Sequence, residues 1–153
     1  MKKCIVLTSL LCGLAFAPVL TGLLFAGSFD AGKLSFTATL NTTDNTTNAI
    51  ATVAVPSNRV ARVEAQFLGI GGSYQSASYG KVATFRNLGG TNTIQISITA
   101  TIGAAETDSH FDALIRTDGT NAVLSVAGDT DVPMQWVTHV TVYYSAELAP
   151  ELP

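Results

Sequence analysis

The residues best suited to chemistry are few and gather in two short stretches. His110 lies between Asp108 and Asp112 in ETDSHFDA, and Asp129 and Asp131 alternate in GDTDVP. A histidine flanked by carboxylates can take a proton or meet a cation, and alternate carboxylates in an oxygen-rich loop are the raw material of a calcium site. Neither stretch is completed. A helix-flanked calcium hand needs a longer loop closed by a fixed acidic residue, so both read as hydrated turns and no metal site is expected. His139 stands three residues from Trp136 in an alternating stretch, on the opposite face, with no motif to supply a catalytic partner; it is expected to meet solvent or an interface. No G-x-S-x-G elbow surrounds a serine, and Glu64, Glu106, Asp108 and Asp112 have no spacing that singles out a sugar-cleaving pair. The glycines at 69–72 lack the following lysine and helix of a phosphate loop. No catalytic or cofactor-binding residue is therefore assigned, and the expectation is a chain that is not an enzyme.

The elements that would have to position such residues are strands. The chain has 153 residues, 47% of them hydrophobic and only 12% charged, which fits one packed domain and argues against a disordered, highly charged chain. A net charge of −3 offers no basic field for nucleic acid. From about residue 34 onward apolar residues recur with period two, between turn residues at short intervals. The clearest run is 94–102, where Ile94, Ile96, Ile98, Ala100 and Ile102 alternate with Gln95, Ser97, Thr99 and Thr101; the isoleucine face is expected in the core. A second run at 61–67 sets Ala61, Val63, Ala65 and Phe67 against Arg62, Glu64 and Gln66. The last, 134–144, aligns Met134, Trp136, Val140, Val142 and Tyr144, with Thr138 interrupting. Weaker candidates at 34–40, 49–55, 79–86, 111–116 and 122–127 bring the total to about eight. An all-β fold follows, an antiparallel β-sandwich of jelly-roll type. Pro56-Ser57-Asn58, Gly89-Gly90 and Asp118-Gly119 supply turn chemistry, and GIGGSYQSAS at 69–78 reads as a solvated connection.

The organisation expected is an apolar amino-terminal segment (1–33), a sandwich (34–145) and a short tail (146–153). Residues 4–26 carry no charge and are long enough to cross a bilayer as a helix, while Lys2 and Lys3 ahead of them resemble the start of a secretory signal. Three readings stay open: a cleaved signal, a lipid anchor, and an anchor buried among protein subunits. Cys4 and Cys12 both fall in this stretch and are read as apolar fillers, so the remainder asks nothing of an oxidising compartment. Among the aromatic residues, Trp136 is expected in the core, whereas Tyr143, Tyr74 and Tyr79 are the candidates for contact with other molecules.

Four segments carry a resemblance: TTDNTTNAIATVAVPSNRVARVEAQFLGI at 42–70, SYGKVATFRNLGGT at 78–91, TDSHFDALIRTDGTNAVLSVAGD at 107–129 and MQWVTHVTVYYS at 134–145. In this order they resemble a β-sandwich domain of tailed-bacteriophage virion proteins, of the head-decoration, head-fibre or tail-fibre-tip type. The resemblance spans about two thirds of the chain. It implies a structural protein of the virion that decorates or stabilises the capsid, or forms a minor fibre or tail component. It further implies a homo-oligomer, typically a trimer, in contact with capsid or tail subunits, and it carries over no catalytic residue. The alternative is a secreted or cell-surface adhesin or pilus-like subunit exported by an amino-terminal signal peptide.

Overall fold

The computed structural model describes residues 32–72, 74–89 and 92–146. The expectations for the apolar segment 4–26, for both cysteines and for most of the tail fall outside those residues. The described chain forms nine strands: β1 (Gly32–Thr42), β2 (Thr47–Ala54), β3 (Arg59–Gly71), β4 (Ser76–Asn87), β5 (Thr93–Gln95), β6 (Ala100–Glu106), β7 (Asp112–Thr117), β8 (Asn121–Ala127) and β9 (Met134–Tyr144). All pairings are antiparallel. One sheet runs β1-β9-β3-β4-β5, with β6 also on β4, and the other runs β2-β8-β7. The all-β sandwich expected from period two is what forms.

The alternation explains the layers. On β3 and β9 the odd and even positions part into a buried set (Ala61, Val63, Ala65, Phe67; Met134, Trp136, Val140, Val142) and an outward set. The small sheet closes the core from the other side with Ile50, Val53, Ala113, Ile115, Leu124 and Val126. Trp136 is fully buried near its centre, its ring near parallel to Tyr79 at 6.4 Å and edge-on to Phe111 at 6.4 Å. Its indole N–H donates to Thr42 Oγ1 at 3.1 Å, so the one polar atom of a large buried ring is satisfied.

Two expectations are corrected. The stretch 69–78 is not a long loop: β3 runs to Gly71 and β4 begins at Ser76. Its glycines serve packing as well as the turn, since a Cβ on Gly69 would lie 2.8 Å from the Trp136 ring. The run at 94–102 is not a core strand either. It breaks into β5 and β6, and its isoleucines face solvent: Ile94 is 43% exposed, Ile96 49%, Ile98 89% and Ile102 64%.

The reason lies on the other face of that run. Thr93 and Thr99 donate through their hydroxyls to the carbonyls of Thr120 and Ile115, each at 2.5 Å, and Thr117 Oγ1 donates back to Thr93 at 3.0 Å. Gln95 Nε2 binds the Ser97 carbonyl and Thr99 Oγ1. These polar residues bridge the edge of the large sheet to β7 and the β7–β8 turn, and the isoleucines are turned outward. Over 93–99 the period is as the sequence reads it, with the two faces exchanged, whereas from residue 100 both faces are exposed.

Candidate functional site

The four connections β1–β2, β3–β4, β6–β7 and β8–β9 meet at one end of the sandwich. At the opposite end lie Gly32, paired with Tyr144, and the turns around Asn58 and Gly119. The first end gathers the chemistry-bearing side chains. His110 Nδ1 sits 2.7 Å from Asp108 Oδ1 and 3.7 Å from Asp129 Oδ1. One donor atom from each of the three lies within 4.8 Å of the others, so Asp108, His110 and Asp129 are the residues that could hold a cation. That arrangement is already closed on itself, because the Asp108 carboxylate accepts the His110 backbone N–H at 2.9 Å as well as facing the ring. These two hydrogen bonds hold the Asp108 carboxyl below its ordinary value. The hydrogen bond to Asp108, then the charge of Asp129, raise the His110 imidazole above its ordinary value. Asp112, expected beside His110, instead accepts the N–H of Ala113, and Asp131 lies exposed at a positive φ of 62°. A surface acid–histidine pair of this kind can exchange a proton with solvent. Among the described residues, the hydrogen bonds around it bring it no hydroxyl or thiol.

The three tyrosines divide. Tyr74 is fully exposed at the tip of the β3–β4 turn, with a positive φ of 66°. Tyr143 is 41% exposed on the outer face of the large sheet, with Lys33 Nζ 5.7 Å above its ring. Tyr79 is buried under β6: its ring packs on Trp136, its hydroxyl donates to Glu106, and burial followed by that carboxylate pushes the hydroxyl far above its ordinary value. It belongs to the core and fastens the edge strand. His139 is exposed, its Nδ1 2.9 Å from Thr37 Oγ1 on the neighbouring strand.

The largest chemical anomaly is the edge carrying β5 and β6. Every residue of β6 is exposed, and between Arg86 and Glu106 the sequence has no charged residue. Ile102 is the extra residue of a bulge, and it folds over Gly80, where a Cβ would come within 2.7 Å of it. Beside it a hollow of about 330 Å³ is lined by Gln66, Ser78, Gly80 and Gly103, and a groove of about 400 Å³ continues over Leu68, Ile70, Ser76 and Ala105. Leu68 and Ile70 are 46% and 64% exposed. Edge strands of natural sheets usually carry a lysine, a proline or an inward charge that blocks pairing. Here, among the described residues, the bulge serves that purpose, together with Lys81 of β4, whose Nζ donates to Thr101 Oγ1 at 3.0 Å. Sequence reasoning missed these residues as a surface, although a signal was present. The wet face of β3 carries Arg62 and Glu64, whereas the polar positions at 95–101 are short, uncharged hydrogen-bonders. Such residues suit a bridge between sheets better than a solvated face.

No protein-family profile matches the chain, and no curated protein sequence matches it. Among solved structures it is similar to the tailspike protein of Acinetobacter phage vB_ApiP_P1, at 15% identity and a TM-score of 0.40 over 82% of this chain and 24% of that one. It is also similar to the tailspike protein gp49 of Acinetobacter baumannii bacteriophage Fri1, a capsular polysaccharide depolymerase, at 11% identity and a TM-score of 0.36 over 75% of this chain and 20% of that one. The chain spans about a quarter of the first of these proteins and a fifth of the second.

Proposed function

We propose that this chain is a non-enzymatic structural protein of a tailed-phage virion, one that decorates or stabilises the capsid or forms a minor fibre or tail component, as a homo-oligomer of trimeric type. The observation that carries the reading is the bare apolar edge. A chain that worked alone in water would keep its isoleucines inside, whereas one that works by assembly leaves them where a neighbour will cover them. The order of the four phage-like segments supports the same reading, because they build β2, β3, β4, β7, β8 and β9, the centre of both sheets. The exposed acid–histidine pair at the loop end has no nucleophile among its hydrogen-bond partners, which favours contact over catalysis.

Quantitative mass spectrometry of purified particles is the test. The reading expects the chain in a fixed ratio to the capsid protein. Recovery from the host envelope with none in particles would overturn it and favour the adhesin alternative. Turnover of a polysaccharide by the pure chain would overturn its non-enzymatic part.

A further inference from the structure

Resting on the assembly reading, the geometry points to a specific contact: the edge segment 93–106, with its row Ile94, Ile96, Ile98 and Ile102, is covered by the same segment of another copy of this chain. Three observations lead there. First, the row cannot turn inward to hide itself. The other side of the segment is tied to the second sheet by Thr93 and Thr99 and to β4 by the Ile96 N–H and Ser97 Oγ, both bonded to Thr84. Second, the patch is large. Four isoleucines, continued through Ala105 by Leu68 and Ile70, are each exposed by two fifths or more. Such a patch exceeds the scattered apolar residues of a lone soluble chain, and with the uncharged β6 it approaches the ~800 Å² that one side of a stable interface buries.

Third, the charge pattern selects the occupant. When a surface meets its own copy, a charge near the symmetry axis faces the same charge, which is unfavourable. The stretch between Arg86 and Glu106 carries none of its own; two cations reach it from β4, Arg86 opposite Ile94 and Lys81 with its Nζ 3.0 Å from Thr101 Oγ1, and Glu106 at its end is engaged by the Tyr79 hydroxyl. A foreign partner would instead be selected by complementary charge, for which the isoleucine row itself carries no group.

Sedimentation velocity of the full chain at micromolar concentration tests the contact, with Ile98→Asp and Ile98→Arg as variants. Ile98 is 89% exposed, so neither change reaches the core. The wild-type chain is expected to associate, and each variant alone to weaken association at least tenfold while keeping a β-type circular dichroism spectrum. An equimolar mixture of the two variants is expected to associate again, because aspartate and arginine then face each other. Ile98→Ser, which adds no charge, is expected to fall between wild type and Ile98→Asp, and it carries the test should a charged variant lose its spectrum. A monomeric wild-type chain, unchanged association in the variants, or a mixture no better than its parts would each overturn the contact. The two readings fail separately: a monomer still found in particles removes the self-contact alone, and an associating chain absent from particles removes the virion reading alone.

Discussion

Single residues show where this fold carries cost. Thr138 is fully buried among Trp136, Val140 and Phe67, and its Oγ1 has no hydrogen-bond partner among the described residues. A hydroxyl dried without a partner costs about 1–3 kcal/mol, and valine keeps the branched shape without the oxygen. Thr138→Val is therefore expected to stabilise the domain by about 1 kcal/mol, seen as a rise in the thermal midpoint of about 3–5 °C. His110 gives a titration. Its value is raised above 6.5 by Asp108, so the favourable contact is fully present below 6.5 and is lost as pH rises through the raised value. Asp108 runs the other way: its value lies below 3.8, and its contribution is lost as pH falls through that depressed value. Proton NMR should find the His110 midpoint above 6.5 and see it fall on Asp108→Asn. The pairing of His110 with Asp108 was legible from their spacing. That Asp129 joins them and Asp112 does not depends on which loops meet at one end, and no local pattern encodes that.

Strands show how much a period can and cannot tell. Alternation located the strands because burial on one face must repeat every second residue in a pleated chain. It cannot say which face is covered. On β3 and β9 the apolar face goes inward, whereas along 93–99 the polar face does, because hydrogen bonds to β7 use it. A glycine-rich stretch carries a similar ambiguity. Composition at 69–78 reads as a loop, yet β3 continues to Gly71 because the missing side chain at Gly69 leaves room for the Trp136 ring. Gly69→Ala is accordingly expected to destabilise the domain by about 1–3 kcal/mol, the usual range for overfilling a packed core. Chemical denaturation would measure it. A cost near zero would mean the stretch behaves as the loop its composition suggests.

At the scale of the whole molecule, the sandwich separates three surfaces. One end holds the loops with Tyr74 and the acid–histidine pair, the other holds Gly32 and Tyr144, and one side presents a row of isoleucines on a free strand edge. The all-β class was legible because nothing from residue 34 onward has helical spacing. The exposed side was not, since period two marks an apolar row without showing whether that face is covered. The most direct measurement is a reconstruction of the assembled particle at a resolution that traces this chain. The account predicts that Ile94, Ile96, Ile98 and Ile102 lie against a second copy within the virion. A particle in which that row stands bare in solvent, or in which the chain has no density, would contradict it.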